Sequence, residues 1–257
     1  MIKLSPLFSG SRGNCSLIQS DSCNILLDVG YQYKQIVARL ADFNVTPADI
    51  NAIVITHEHS DHISALPYIT RGFNTAVYAP SAICDYISQR TYCSSVTAID
   101  GAFNTGGVTV DVYRCSHDSA ACFGYRFTCG AESVAGVTDT GCVTDELIAF
   151  LSPCKGIMIE SNHDVNMLQN GAYPYVLKRR IMSDFGHLSN DQTSQILSKI
   201  KGTAIKQIAL AHLSEQNNTK ELAFSSAVGA LEKGGLTEGK DIDLFVADQY
   251  YNRITLC

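Results

Sequence analysis

Residues 53–62 read Ile53-Val54-Ile55-Thr56-His57-Glu58-His59-Ser60-Asp61-His62. An apolar, β-branched run is followed by three histidines and an aspartate within six residues. Such a run is typical of a buried strand, and imidazole and carboxylate groups bind zinc, manganese or iron. The segment therefore predicts a strand whose end carries a metal site. We expect His57 and His59 to face one metal position, and Asp61 and His62 to face a second position beside it. A loop whose histidines are merely solvated would not account for this density of ligand-type residues.

The same arrangement recurs along the chain. Apolar runs that predict strands cover residues 108–115, 133–138, 156–159 and 207–211. The residues that follow them closely are His117, Asp139, His163 and His212. Because functional sites gather where strand ends converge, we expect these side chains to meet near the first cluster. The patterns also predict one helix over 63–71 and a last strand over 253–256.

The composition predicts a single globular domain over residues 1–257. Of these residues 46% are hydrophobic and 17% are charged, and strand and helix patterns alternate without a linker. We find neither a signal-peptide pattern nor an apolar run long enough to span a membrane. The ten cysteines form no C-x-x-C pair, so we expect free thiols and a reducing cytoplasm.

The net charge of −6 disfavours a broad basic surface for nucleic acid, although two bound divalent cations would reverse the sign locally. The one dense cationic run is Lys178-Arg179-Arg180. It predicts either a track for a nucleic-acid backbone or a solvated helix end. The glycine-rich loop with Ser11 and Asn14 suits a phosphate contact or an ordinary turn.

Four motifs in this order, Thr56-His-Glu-His-Ser-Asp-His62, Ser116-His-Asp118, Thr138-Asp-Thr-Gly141 and Ala211-His-Leu-Ser214, resemble those of the metallo-β-lactamase superfamily. The resemblance implies an α/β (α+β) fold, a four-layer αββα sandwich with a two-metal site. One metal would be held by His57, His59 and His117. The second would be held by Asp61, His62 and His212, with Asp139 bridging and Asp28 supporting from behind.

Four further segments, 9–14 (SGSRGN), 160–164 (ESNHD), 177–181 (LKRRI) and 186–190 (GHLSN), look like those of the YycJ/WalJ group of metal-dependent DNA exonucleases. GHLSN is also similar to an element of the tRNA 3′-processing ribonucleases, in which the histidine approaches the scissile phosphate. The resemblance implies that His187 contacts phosphate or donates a proton. His163 is expected to touch substrate, to orient a ligand or to cap the next helix.

The sequence thus predicts a phosphodiesterase with two divalent ions, zinc or manganese. The ions would share a water and lower its pKa, giving a bridging hydroxide at neutral pH. Asp61, His187 and His163 are the candidate catalytic residues, and DNA attacked from an end is the expected substrate. Two alternatives stay open: a hydrolase of a small cyclic phosphodiester or thioester, and a non-catalytic nucleic-acid-binding protein.

Overall fold

The computed structural model describes residues 1–73, 75–91 and 96–257. Six strands form a first sheet in which the spatial order follows the chain. They are β1 Ile2–Phe8, β2 Cys15–Ser20, β3 Asn24–Leu27, β4 Ala52–Val54, β5 Ala76–Pro80 and β6 Val96–Ile99. β2 pairs antiparallel with both β1 and β3, whereas β3 to β6 are parallel. The carboxyl ends of β3 and β4 therefore lie side by side.

Seven strands form the second sheet, in the order β13-β12-β11-β10-β9-β8-β7. They are β7 Phe103–Thr105, β8 Val108–Arg114, β9 Phe123–Cys129, β10 Glu132–Val137, β11 Gly156–Glu160, β12 Gln207–Ala211 and β13 Asp243–Val246. β10 to β13 are parallel, and β7 to β10 are antiparallel. Three neighbouring strands, β10, β11 and β12, thus end at the same edge.

The strands are apolar on both faces because both faces are covered. In β4, Ala52 and Val54 pack between the two sheets, whereas Ile53 packs beneath the N-terminal helices. In β10, Val134 faces the other sheet and Ala135 faces the C-terminal helices. Successive side chains of a strand point to opposite faces. Three hydrophobic layers therefore separate four structural layers, and the predicted αββα sandwich is confirmed.

The helices lie on the two outer faces or in the loops at the sheet edges. They are α1 Tyr33–Ala41, α2 Ser60–Ile63, α3 Leu66–Ile69, α4 Cys84–Ser88, α5 Asp145–Leu151, α6 Val165–Asn170, α7 Tyr175–Ile181, α8 Asn190–Leu197 and α9 Lys220–Lys233. Short 3₁₀ turns cover Pro47–Asp49 and Ser81–Ile83. Within the described ranges, no helix is long and apolar enough to cross a membrane.

Two local predictions were wrong. The single helix expected over 63–71 is divided into α2 and α3, because Pro67 suits the first turn of a helix and not its interior. The strand expected over 253–256 is reduced to a single bridge between Leu4 and Leu256. In an antiparallel ladder the next bond in this direction would come from the amide of Pro6, which has no N–H.

Candidate metal centre

The edge where strands of both sheets end gathers most of the polar side chains that the sequence singled out. Asp28 follows β3, and His57 comes three residues after β4. In the second sheet Asp139 lies two residues beyond β10, Glu160 is the last residue of β11, and His212 follows β12 directly. Parallel pairing places these ends side by side, since Glu160 is in register with Ala211.

Three histidines form a first group at this edge. Ligand atoms of His57, His59 and His117 all lie within 4.8 Å of one another. Nε2 of His117 is 3.3 Å from Nδ1 of His59. The His57 ring is fully buried, and its Nε2 has no hydrogen-bond partner among the described residues.

A second group lies directly beside the first. Asp61, His62 and His212 bring their ligand atoms within 4.8 Å of one another, and so do His57, His62 and Asp139. Asp139 Oδ2 is 3.3 Å from Nε2 of His62, and its Oδ1 is 3.9 Å from Nε2 of His117. The Asp139 carboxylate therefore lies between the two groups, which is the position that the resemblance implied for a bridging ligand.

Buried side-chain atoms that lack a hydrogen-bond partner indicate whether this site suits a metal. Nε2 of His57, Oδ2 of Asp139 and Nε2 of His212 are buried and have no hydrogen-bond partner within the described parts of the chain. Buried polar atoms are nearly always hydrogen-bonded, so such atoms need another partner. Imidazole nitrogen and carboxylate oxygen are suitable donors for a divalent transition metal. The residues present fit a divalent metal ion.

The pKa values of these groups are shifted by burial and by the charges of their neighbours. Burial lowers the pKa of His57 well below its usual value. Burial also lowers the pKa of His212, but the charge of Asp139 and contacts with Asp61 and Glu160 outweigh it and raise the pKa to about 10. Burial raises the pKa of Asp139, whereas the charges of His212 and His62 hold it well below its usual range. Without a cation, protons on the imidazoles offset the carboxylate charge.

Asp28 contacts one candidate ligand, His62, on the side of its ring away from Asp139. Its Oδ2 is 2.8 Å from Nδ1 of His62, and it accepts hydrogen bonds from the amide and the hydroxyl of Thr56. With Nδ1 of His62 engaged in this way, Nε2 faces Asp139, as expected for a metal ligand oriented by a carboxylate. Three of the four non-glycine residues with positive φ in the described chain are Asp28, Asp139 and His212. Their backbone is in a sparsely populated conformation, which is common at functional sites.

Glu160 belongs to the site, although sequence reasoning assigned it no role. It is fully buried, and its Oε1 is 2.9 Å from Nδ1 of His187 and 2.8 Å from Nδ1 of His212. Its Oε2 accepts hydrogen bonds from the amides of Thr140 and Leu188. The available signal was a carboxylate closing the apolar run of β11, since an acid at such a position needs partners.

The loop after β1 contacts the candidate metal centre and supports it. Asn14 is buried, with its amide nitrogen 3.1 Å from Nε2 of His62, and its backbone N–H donates to the carbonyl of Asp61. Gly30 lies so close to that carbonyl that an added Cβ would be 1.6 Å from the Asp61 oxygen. Ser11, in contrast, is exposed and lines the cavity beside the cluster.

A cavity of about 220 Å³ opens beside these groups. Its lining residues are Ser11, His59, Asp61, Asp139, Asn162, Tyr173, Leu177, Arg180, Ile181, His187, His212 and Ser214. Tyr173 was not singled out by the sequence. The cavity joins the ligand groups to His187 and to one arginine of the cationic run.

The three residues of the cationic run have different neighbours. Arg180 lines the cavity and pairs with Asp118. Arg179 is exposed, and its guanidinium lies 6.0 Å from the ring centroid of Tyr175. Lys178 donates to the backbone carbonyls of Gln169 and Gly171, at 2.9 and 2.7 Å.

His163 lies apart from the ligand groups. Its ring is 1% exposed, its Nδ1 has no partner among the described residues, and burial lowers its pKa to about 4. It belongs to none of the groups above and does not line the cavity. Its backbone carbonyl accepts a hydrogen bond from the amide of Asn190, at the start of α8.

Comparisons with known proteins agree with this architecture. Residues 23–212 match the model of the Beta-lactamase superfamily domain. The chain is 36% identical over 250 residues to "Exodeoxyribonuclease WalJ" of Streptococcus pneumoniae serotype 2, which covers 95% of this chain and 93% of that protein. It is 33% identical over 252 residues to "Exodeoxyribonuclease YycJ" of Bacillus anthracis, with 96% of both covered. The crystal structure of the metallo-beta-lactamase fold protein YhfI from Bacillus subtilis superposes with a TM-score of 0.74 at 17% identity, covering all of both chains.

Proposed function

We infer that this chain, which belongs to the β-lactamase superfamily, is a metal-dependent exonuclease that hydrolyses the phosphodiester bonds of DNA. The observation that carries the inference is the convergence of seven ligand-type side chains beside His187, whose ring is held by Glu160 at the cavity wall. Full-length similarity to two proteins named exodeoxyribonucleases supports DNA as the substrate.

The two ligand groups favour two ions per chain. His57, His59 and His117 would hold one ion, Asp61, His62 and His212 would hold the other, and Asp139 would contact both. The donor set suits zinc or manganese. When bound, the ions would supply Lewis acidity for the phosphate and lower the pKa of a water molecule.

The chain itself supplies the proton for the leaving group. Oε1 of Glu160 engages Nδ1 of His187, so Nε2 remains for a substrate at the cavity wall. A DNA alkoxide is a poor leaving group, and a positioned acid typically contributes about 10²–10⁴-fold to the rate. His187 therefore donates the proton to the departing oxygen. Asp61 would contribute to catalysis as a ligand of the second ion, and its carboxylate faces both His62 and His212.

The remaining candidates have distinct roles. Ser11 and Arg180 contact the substrate at the cavity rim, whereas Asn14 orients the His62 and Asp61 region from behind. The backbone carbonyl of His163 joins the loop after β11 to the start of α8. The nine cysteines within the described ranges are free thiols, which supports a reducing cytoplasmic location.

Parallel assays on different substrates test this function. We expect the protein with Mn²⁺ or Zn²⁺ to release nucleotides from linear DNA with a higher kcat/KM than it shows for a cyclic dinucleotide or a thioester. Efficient hydrolysis of a small substrate with none of DNA, under every metal, would overturn the proposal in favour of a small-molecule hydrolase.

A further inference from the structure

A solvent-facing surface of unusual composition lies beside the cavity. It comprises Tyr175, Val176 and Arg179 of α7 together with Phe185, which lies four residues beyond the end of that helix, and we call it the aromatic–arginine face. Tyr175, Val176 and Phe185 are 72%, 79% and 60% exposed, and no residue of α7 is buried. Large apolar side chains grouped in this way on a surface mark an interaction site more often than scattered ones do.

The same helix also forms a wall of the metal centre. Leu177, Arg180 and Ile181 line the cavity, while Tyr175 and Arg179 lie one turn apart and face solvent. The amide of His187 donates to the carbonyl of Ile181, and an added Cβ on Gly186 would be 2.1 Å from that oxygen. The face is therefore held tightly to the loop that carries His187.

We propose that the aromatic–arginine face binds unpaired nucleotides of a DNA strand whose end lies in the cavity. The inference rests on the proposed exonuclease function and specifies its substrate as a single-stranded or frayed end. Exposed aromatic rings stack with bases of any sequence, and arginine adds contacts to bases and phosphates. The exposed Val176 adds further apolar area for bases that have left the duplex.

The charge of this region favours nucleic acid over a second copy of the chain. Arg179 lies within the densest cationic run of a chain whose net charge is −6. A two-fold symmetric contact through this face would bring the same patch on both copies together, including both cationic runs. A polyanion with aromatic bases complements the charge and the apolar rings together.

The test compares binding of single-stranded and duplex DNA to the metal-loaded protein. The probes are a fluorescein-labelled phosphorothioate oligothymidylate, which resists cleavage, and a blunt phosphorothioate duplex, both measured by anisotropy. We expect Tyr175→Ala and Phe185→Leu to raise the Kd for the single strand about 5- to 100-fold, the range that corresponds to one lost stacked base. We expect the Kd for the blunt duplex to change less than twofold.

A matched control exists elsewhere on the chain. Tyr86 is 40% exposed, and the guanidinium of Arg90 lies 3.5 Å from its ring centroid. It does not line the cavity, so Tyr86→Ala should bind the single strand as the wild type does. Unchanged single-strand affinity in Tyr175→Ala and Phe185→Leu would overturn the inference, as would a dimer that these substitutions dissociate without loss of DNA affinity.

A small substrate separates this inference from the proposed function. Tyr175 and Phe185 do not line the cavity, so their variants should hydrolyse bis(p-nitrophenyl) phosphate at the wild-type rate. If the wild type cleaves phosphodiesters and the variants bind single strands normally, only the aromatic–arginine face is refuted. If the wild type cleaves neither DNA nor the small ester, the proposed function fails and the inference falls with it.

Discussion

Oε1 of Glu160 lies 2.9 Å from Nδ1 of His187. The same oxygen is 2.8 Å from Nδ1 of His212. One buried carboxylate thus orients a candidate metal ligand and the candidate acid together, and it leaves Nε2 of each ring for the metal or the substrate. A second consequence is that a change in the Glu160 carboxylate affects both rings, because they share one oxygen as their partner.

Glu160→Gln should impair activity although it preserves shape. The glutamine amide cannot accept from the amides of Thr140 and Leu188 while also accepting from both imidazoles, because one of its two ends is an NH₂ group. We expect a loss of about 10- to 100-fold in kcat or in metal affinity, as for other partners of metal ligands. Glu132→Gln, which alters a salt bridge with Lys155 outside the ligand groups, is the control. Wild-type kcat and metal content in Glu160→Gln would contradict the role assigned to Glu160.

Because His187 donates a proton to the leaving group, His187→Asn should slow hydrolysis of a substrate with a poor leaving group more than that of one with a good leaving group. A poor alkoxide leaving group needs a proton, whereas p-nitrophenolate does not. The rate on DNA should fall by about 10²–10⁴-fold, and the rate on bis(p-nitrophenyl) phosphate should fall much less. His163→Asn, at a buried ring away from the cavity, should lack this difference between substrates. Equal losses on both substrates for His187→Asn would show that it does not act as the acid.

Gly30→Ala should disrupt the metal centre through the backbone. The new Cβ would lie 1.6 Å from the carbonyl oxygen of Asp61, so the turn that carries Asp61 and His62 must move. We expect a loss of about 1–3 kcal/mol in unfolding free energy, typical of overpacking, together with reduced bound metal. Denaturant titration and elemental analysis measure both. Gly72→Ala, whose Cβ would meet nothing within 4 Å, should be neutral, and equal behaviour of the two variants would exclude the close approach.

In the metal-free protein, stability should fall as the pH rises into the alkaline range. The pKa of His212 is raised from 6.5 to about 10 without a cation, so its contribution to stability is present below pH 6.5 and is lost as pH rises toward 10. The metal-free protein should therefore show a falling Tm between pH 7 and 10. The metal-loaded protein should have a higher Tm, because a ligand at 100 times its Kd adds about 2.7 kcal/mol. A metal-free Tm that rises over this range would contradict the carboxylate pairing of His212.

Much of this architecture could be predicted from local patterns. The β-branched run at 53–55 predicted a buried strand, and polar residues after successive strands predicted a shared edge. The structure brings His57, His59, Asp61, His62, His117, Asp139 and His212 together as expected. Their roles as ligands, and the single domain over residues 1–257, remain predictions.

Other features depend on contacts that sequence does not display. Glu160 acquires its partners from the loop at His187 and from the end of β12, which lie 27 and 52 residues away. Tyr173 lies just before α7 and lines the cavity together with Leu177 of that helix. The bridge at Leu256 is limited by a proline in a distant strand. Each case is decided by tertiary neighbours rather than by local propensity.

The most direct test restores metal to chelator-stripped protein and follows nucleotide release from DNA labelled at either end. We expect negligible release without metal and recovery with Mn²⁺ or Zn²⁺ that saturates near two ions per chain. We also expect mononucleotides from one end as the first products, with Asp139→Asn severely impaired. Degradation that needs no metal, internal fragments as the first products, or hydrolysis of a small phosphodiester with none of DNA would contradict a metal-dependent DNA exonuclease.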